Sequence, residues 1–291
     1  MNKNNAALLS IVSNSLLIIF KLISGLSMGS ISVISEAIHS SVDLLASFIA
    51  YFSIKKASKA PDYNHPFGHG KYENVSGFAE AILILFASVL IMFEAIKKIF
   101  SNSSIDNINM GLLVMFISAA VNLIISFILM KVAKNSGSIA LEADAMHLLT
   151  DVLTATGVLT GLLLVKITGL RIIDPIAAIL VSILIFKTSI NLTKKSIKDL
   201  VDSKLSDEDI NKIVTIISSH TDIKGFHKLR TRRNGTNREI DIHLEISSNF
   251  SLIQAHNLCI HIEKDIKQVF PDSNILIHPE PSKNIKETYI R

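Results

Sequence analysis

The sequence predicts an α-helical membrane protein with six transmembrane helices, followed by a small cytoplasmic α+β domain of αββαβ order. Two observations lead to this prediction. Apolar residues make up 49% of the 291 residues and charged residues 19%, which excludes disorder and is unusual for a soluble protein. The apolar residues are concentrated at 6–193, whereas the chain from Ser203 onward has a soluble composition. We therefore place a membrane domain at 1–202 and a soluble domain at 203–291.

The membrane domain contains apolar stretches that are long enough to cross a bilayer, which takes about 20 helical residues. They lie at 6–26, 31–54, 75–99, 109–132, 139–165 and 172–193. Most of the connectors are short, but a longer polar segment at 55–74 joins the second and third stretches. Because the number of spans is even, both termini lie on the same side of the membrane.

The basic residues that flank the spans indicate which side this is. If the N-terminus is inside, the residues on the inner side are Lys3, Lys55, Lys56, Lys59, Lys71, Lys131 and Lys134, and those on the outer side are Lys97, Lys98, Lys166 and Arg171. An excess of lysine on the inner side predicts cytoplasmic termini. The formal charge of +4 has the same origin, so we expect no nucleic-acid partner. The single cysteine, Cys259, excludes an internal disulfide and suits a reducing compartment.

The soluble domain alternates between helical and strand patterns. Ser206, followed by acidic residues, predicts the start of a helix that ends near His220. Asn234-Gly235 predicts a hairpin turn. The other elements are strands at 225–233 and 236–247, a helix at 251–270 and a short strand at 274–278.

Two of the spans carry ionisable residues, which are costly in a membrane and by default indicate function. The second span has Glu36, His39 and Asp43, and the fifth has Asp144, His147 and Asp151. In both spans the spacing is i, i+3, i+7, which places the three side chains on one face of a helix. The same pattern therefore occurs twice in the chain.

The repeated His-x-x-x-Asp pairs predict a metal site between two helices. They offer two nitrogen and two oxygen ligands to one ion, from His39, Asp43, His147 and Asp151. This set suits a tetrahedral divalent cation, with zinc as the leading candidate. The alternative interpretation is a set of hydrogen-bonding groups between helices, and the duplication of the pattern disfavours it.

Two more groups of residues could bind metal. Asp62, His65 and His69 lie in the loop after the second span, although a Pro/Gly-rich loop with incidental histidines explains them equally well. The second group, in the soluble domain, consists of His227, His243, His256, His278 and Glu280. Each of these histidines alone would be interpreted as a surface residue, but together they suggest a metal site. His220 and His261 are interpreted as peripheral.

These residues carry a resemblance to the cation diffusion facilitator family of metal/proton antiporters. The stretches that resemble the family are 36–43, 65–71, 144–151, 229–232, 242–245, 254–256 and 277–280, so the match covers nearly the whole chain. The resemblance implies a homodimer that exports divalent metal from the cytoplasm in exchange for protons. It also implies a metallochaperone-like cytoplasmic domain.

The resemblance implies a role for each group of residues. His39, Asp43, His147 and Asp151 would form the transport site, and Asp62, His65 and His69 a loop site. A regulatory binuclear site would consist of His227, His243, His256, His278 and Glu280. Lys71 and Asp202 would interlock the two subunits at the membrane surface. Many bacterial iron/zinc members have Asp at the position of His39, so this chain is nearer the zinc type. The histidine-rich loop that many eukaryotic zinc members have between the fourth and fifth spans is absent here, which indicates a prokaryotic inner-membrane protein.

The expected mechanism is secondary transport, because the sequence contains no G-x-x-x-x-G-K-[ST] motif for ATP. Histidine binds metal only when it is neutral, so protons and metal compete for one site. The alternatives are a transporter of the same fold selective for Mn²⁺ or Fe²⁺, and a membrane metal sensor without flux. A further alternative is an intramembrane metalloenzyme, but the chain lacks the H-E-x-x-H motif of zinc proteases and its two His/Asp pairs would fill the coordination shell, so we expect a transporter and not an enzyme. The expected partners are divalent metal ions, protons, a second copy of the chain and membrane lipid, with no cofactor beyond the bound metal.

Overall fold

A computed structural model describes residues 1–28, 31–100, 109–170 and 172–282 of the chain. The chain divides into two compact units, Met1–Ile197 and Lys198–Arg291. The first unit is helical, and the second combines helices with a three-stranded sheet. This arrangement confirms the predicted fold class.

The helices of the first unit correspond to the predicted spans. They are α1 (Lys3–Met28), α2 (Ile31–Ala57), α3 (Lys71–Phe100), α4 (Asn109–Ser136), α5 (Ile139–Thr168) and α6 (Ile173–Leu200). Among the described residues, all of these helices except α2 are long and apolar enough to cross a membrane. Each helix is longer than the apolar stretch that predicted it. Polar residues extend the ends, as Lys55 and Lys56 do in the last turn of α2, where basic groups favour the helix dipole.

Small residues allow the helices of this unit to pack closely. A core cluster contains Ala6 and Ala7 of α1 together with Ala140 and Ala145 of α5. A Cβ atom on Gly77 of α3 would lie 2.4 Å from Cγ2 of Ile139, so only glycine fits at this contact with the start of α5. Small residues at helix interfaces are the usual way in which membrane helices approach one another.

Buried polar contacts also join the helices. Asn14 Nδ2 of α1 donates to Ser47 Oγ of α2 over 2.8 Å, and Ser47 Oγ donates to Asp144 Oδ1 of α5 over 3.1 Å. At the start of α5, Ser138 forms the N-cap and also hydrogen-bonds to the buried Glu73 of α3. These bonds set the rotation of α2 and α5 about their own axes, and therefore which of their faces meet.

The second unit has the predicted αββαβ order. Its elements are α7 (Asp207–Ser218), β1 (Ile223–Asn234), β2 (Asn237–Ile246), α8 (Leu252–Val269) and β3 (Ser273–Pro281). Strand β2 lies in the middle of the sheet, antiparallel to β1 and parallel to β3. Asn234 pairs with Asn237, so the hairpin loop is Gly235-Thr236 and not Asn234-Gly235 as predicted. Gly235 takes a φ of 63°, which suits the first position of a two-residue loop.

The core of this unit lies between the sheet and the two helices. Ile213 and Ile217 of α7 and Ile262 and Ile266 of α8 pack in one cluster with Ile242 and its neighbours on β2. Along β2 the buried residues alternate with partly exposed ones, so one face of the strand contacts the helices and the other carries polar side chains. Strand β3 is longer than the predicted 274–278, because it pairs with β2 from Ser273 to Pro281.

Candidate metal-binding sites

The first candidate site lies between α2 and α5. Asp43 of α2 and His147 and Asp151 of α5 each offer one ligand atom, and these atoms all lie within 4.8 Å of one another. His147 Nε2 is 3.0 Å from Asp43 Oδ1. His147 and Asp151 are one turn apart on α5, so they share the face that meets α2. The structure therefore brings together three of the four residues predicted for the transport site.

The side chain of His39 lies outside the described residues, as does that of Glu36. The backbone of α2 places His39 one turn before Asp43, on the same side of the helix. Its role as the fourth ligand stays a prediction.

A cavity of about 540 Å³ reaches this group. Asp43, His147 and Asp151 contribute to its lining, and most of the remaining lining comes from apolar residues such as Leu83 and Met115. An apolar cavity with a few converging polar groups is typical of a binding site for a small solute. The arrangement can therefore bind a partly dehydrated cation.

Asp144 belongs to the repeated sequence pattern but does not join the metal group. Its carboxylate is fully buried and accepts the hydrogen bond from Ser47. The two acidic residues of the pattern on α5 thus have different roles, because Asp144 contributes to helix packing while Asp151 lines the cavity.

Glu80 of α3 is a buried carboxylate that the sequence analysis missed. It is 1% exposed and lies near Ser76, one turn earlier on α3. It interacts electrostatically with His147 and Asp144. The sequence contains a signal for Glu80, because an acidic residue within an apolar span indicates function.

The second candidate site is in the loop between α2 and α3. Asp62 lies 3.3 Å from His65 Nδ1 and 3.4 Å from His69 Nε2, through its two carboxylate oxygens. The backbone N–H of His65 donates to Asp62 Oδ1 over 2.8 Å and lowers the pKa of the Asp62 carboxyl below its ordinary value. The loop thus holds an ionised carboxylate beside two imidazoles, which is a ligand set for a divalent cation.

The third candidate site crosses the polar face of the sheet. His227 of β1 pairs with His243 of β2, which pairs with His278 of β3, so the three imidazoles form a row. Glu280 bridges two of them, with Oε1 2.7 Å from His243 Nδ1 and Oε2 3.3 Å from His227 Nε2. The hydrogen bond from His243 lowers the pKa of Glu280. His278 lies at the edge of the group, with Nε2 3.6 Å from Glu280 Oε1.

Two observations modify the predicted composition of this site. Glu245, which the sequence analysis missed, lies 3.2 Å from His227 Nδ1. It is two residues after His243 on β2, and strand alternation places both on the same face. His256 is exposed on α8, and within the described part of one chain the structure does not place it with the strand histidines. Its place in this site stays a prediction.

The predicted interlock of Lys71 with Asp202 is a contact between two subunits, and it stays a prediction. Lys71 is the first residue of α3. Within the second unit, Asp202 accepts a hydrogen bond from Arg232 Nη1 over 3.1 Å. The structure also groups His220 and His261, which were interpreted as peripheral, with Asp265 of α8.

Comparison with known proteins finds family models that match both parts of the chain. Residues 7–201 match the family model of the cation efflux transmembrane domain, and residues 205–282 match that of the cation efflux protein, cytoplasmic domain. Protein p34 of Rickettsia rickettsii (strain Sheila Smith) is 32% identical over 277 residues, which cover 95% of this chain and 91% of the relative.

Two further similarities come from a pump and from a solved structure. The cation-efflux pump FieF of Citrobacter koseri is 29% identical over 278 residues, which cover 96% of this chain and 92% of the relative. The metal-bound C-terminal domain of the CzcD transporter from Thermotoga maritima is 26% identical, covers 27% of this chain and 93% of that chain, and gives a TM-score of 0.26. The chain belongs to the cation diffusion facilitator family of multi-pass metal efflux transporters.

Proposed function

We propose that this protein exports Zn²⁺ from the cytoplasm of a bacterium in exchange for protons. The observation that carries the proposal is the convergence of Asp43, His147 and Asp151 between α2 and α5, with their ligand atoms within 4.8 Å. These three ligands can bind a metal ion and leave one position of a tetrahedral coordination shell open. The fourth ligand in this proposal is His39, one turn from Asp43.

The donor atoms support zinc as the substrate. With His39, the site offers two imidazole nitrogens and two carboxylate oxygens, which suit the tetrahedral coordination of Zn²⁺. Imidazole also suits other first-row metals, so a transporter of the same fold selective for Mn²⁺ or Fe²⁺ is the alternative. Those harder ions prefer more oxygen ligands than this site provides.

The same ligands support proton exchange. His147 Nε2 faces Asp43 Oδ1 at 3.0 Å, a distance at which either a proton or a metal ion compensates the carboxylate charge. Metal binding therefore displaces a proton, and a proton displaces the metal. If the site opens alternately to the two sides of the membrane, export of metal is coupled to entry of protons.

We further propose that the protein works as a homodimer in the inner membrane, with both termini cytoplasmic. The family model that matches 205–282 is named for dimer formation, which supports the homodimer. The excess of lysine on the inner loops supports the orientation. The curated relative named a cation-efflux pump supports the direction of transport.

A membrane metal sensor without flux is the second candidate function. The observation that favours it is the row of His227, His243 and His278 with Glu280, which can bind metal on the soluble unit independently of any transport. A sensor would bind metal there and move none across the membrane.

The test uses purified full-length protein in liposomes that contain a pH-sensitive dye, with Zn²⁺, Cd²⁺, Co²⁺, Fe²⁺ and Mn²⁺ offered one at a time. We expect Zn²⁺ flux that acidifies or alkalises the lumen according to the direction of the metal gradient. Liposomes with the His147→Ala variant are the control. Flux without a pH change would refute proton exchange, and metal binding without flux would favour the sensor.

A further inference from the structure

We propose that His220, His261 and Asp265 form an additional divalent-metal site, for Zn²⁺ or an ion of similar preference, that joins the end of α7 to α8. This site is separate from the three candidate sites described above. Its ligand atoms lie within 4.8 Å of one another.

Two helices supply the three side chains. His220 is the residue after Ser219, the C-cap of α7. His261 and Asp265 are one turn apart on α8 and so share one face of that helix. The packing of Ile217 against the α8 residues of the core holds the end of α7 beside this face.

The distances fit a metal site. His220 Nε2 lies 3.2 Å from Asp265 Oδ2, and His261 Nε2 lies 3.9 Å from the same oxygen. Zinc bonds to nitrogen and oxygen are about 2.0–2.2 Å long, so tetrahedral ligands lie about 3.4 Å apart. The two observed distances bracket this value. The imidazole rings of His220 and His261 are 5.8 Å apart at an angle of 75°, so the rings do not stack and can approach one ion from different directions.

The orientation of His220 points to a cation at Nε2. Its Nδ1 is 2.9 Å from the carbonyl oxygen of Ile216, which can only accept, so Nδ1 carries hydrogen and donates. In neutral His220 the lone pair of Nε2 then faces the Asp265 carboxylate at 3.2 Å, which is repulsive unless a proton or a metal ion lies between them. Histidines that bind metal usually have the other ring nitrogen bonded to a carbonyl or carboxylate in this way.

The solvent exposure of the three side chains indicates how tightly this site binds metal. The side chain of His220 is 15% exposed, that of Asp265 31% and that of His261 69%. Three ligands at the edge of the helix pair leave one coordination position to water. Since an exposed histidine loses side-chain freedom on binding, the site should be weaker than a closed structural zinc site.

The new site is independent of the strand cluster. Ile242 and Leu244 of β2 are buried against the helices, so His243 between them faces the opposite side of the sheet. The two metal sites therefore lie on opposite faces of the same unit, and removing a ligand from one should leave the other intact.

The first measurement is the number of Zn²⁺ ions bound per chain by the full-length protein in detergent, after removal of metal with a chelator. We expect His261→Ala and Asp265→Asn each to lose one equivalent relative to wild type. Glu263→Gln is the matched control, because it removes one carboxylate from the same helix and pairs with Lys267 instead. An unchanged stoichiometry in both ligand variants would overturn the proposal.

A second measurement separates a metal site from a simple ion pair of protonated His220 with Asp265. We expect Zn²⁺ to slow backbone hydrogen exchange at 213–220 and 258–266 in wild type and in Glu263→Gln, but not in His261→Ala. The side chain of His261 is 69% exposed, so this variant should fold. If Zn²⁺ leaves the exchange in wild type unchanged, the ion pair is the better account and the site is withdrawn. Neither measurement depends on transport.

Discussion

His147 Nε2 lies 3.0 Å from Asp43 Oδ1, although 104 residues separate the two positions in the chain. The contact joins the two copies of a repeated sequence pattern, one on α2 and one on α5. The polar face of α2 that carries Asp43 therefore contacts the polar face of α5 that carries His147. The ligand set of the candidate transport site follows from this one juxtaposition.

Removal of a ligand from this group should abolish metal flux. We expect Asp43→Ala and His147→Ala each to reduce the initial rate of Zn²⁺ transport in liposomes at least about 100-fold, since even the loss of a group that only supports a ligand costs 10–100-fold in metal affinity. The matched control is Glu94→Gln, which lines the same cavity outside the ligand group and should keep most of the flux. Substantial Zn²⁺ flux in both alanine variants would refute the assignment.

The His39→Asp variant should change metal selectivity. Replacing an imidazole with a carboxylate leaves one nitrogen and three carboxylates, a harder shell that accepts Cd²⁺ and Mn²⁺ with less penalty. Zinc should still be transported, with a higher ratio of Cd²⁺ or Mn²⁺ flux to Zn²⁺ flux. Coupling to protons at neutral pH should weaken, because imidazole exchanges a proton in the physiological pH range, whereas a carboxylate is normally ionised throughout it.

The measurement compares initial rates for the three metals in matched liposomes at two pH values. Wild-type metal ratios and wild-type pH dependence in the variant would mean that His39 does not bind the transported ion.

The buried ion pair at the start of α3 should contribute more stability than an exposed pair. Lys3 Nζ lies 2.5 Å from Glu73 Oε1, and Glu73 is 1% exposed. Glu73→Gln leaves Lys3, which is 19% exposed, without this carboxylate and weakens the bond to Ser138, so we expect a loss of about 1–3 kcal/mol in the free energy of unfolding. The control is Glu142→Gln, whose partner Lys195 is 50% exposed, with an expected loss below about 1 kcal/mol. Thermal unfolding in detergent measures both variants, and equal losses would contradict the prediction.

The lowered pKa of Glu280 predicts how stability depends on pH in the metal-free protein. Because the carboxyl is more acidic in the folded chain than its ordinary value of 4.5, its ionised form stabilises the fold. The stabilisation is fully present at pH values above the ordinary pKa of 4.5, and it is lost as the pH falls through the lowered pKa of the folded state. Glu280→Gln should therefore lower the melting temperature at pH 7, and the difference from wild type should shrink toward about pH 3.

The melting curves are recorded in the presence of a chelator, since metal on the same residues would mask the effect. Glu239→Gln, which removes a carboxylate that accepts a hydrogen bond from Asn274 on the same sheet, is the control for general loss of charge. A constant difference between Glu280→Gln and wild type from pH 7 to about pH 3 would contradict the prediction.

The sequence by itself determined the order of the elements and the faces of the helices. Length and hydropathy predict a membrane helix because the bilayer requires about 20 apolar residues in a row. The spacing of His147 and Asp151 predicts a shared face because the helical repeat is local. Strand alternation and turn residues are also local signals, and they predicted the αββαβ order. The second unit has this order, and only the hairpin turn is shifted, to Gly235-Thr236.

The tertiary structure decided which faces meet. Local periodicity cannot tell that Asp144 hydrogen-bonds to Ser47 while Asp151 faces the cavity, because this depends on how α1, α2 and α5 pack. The grouping of His220 with Asp265 depends equally on the packing of α7 against α8 across 45 residues of chain, from position 220 to position 265. Sequence pattern thus fixes a side chain's direction within its own element, and only the close approach of small and apolar residues between elements fixes its partner.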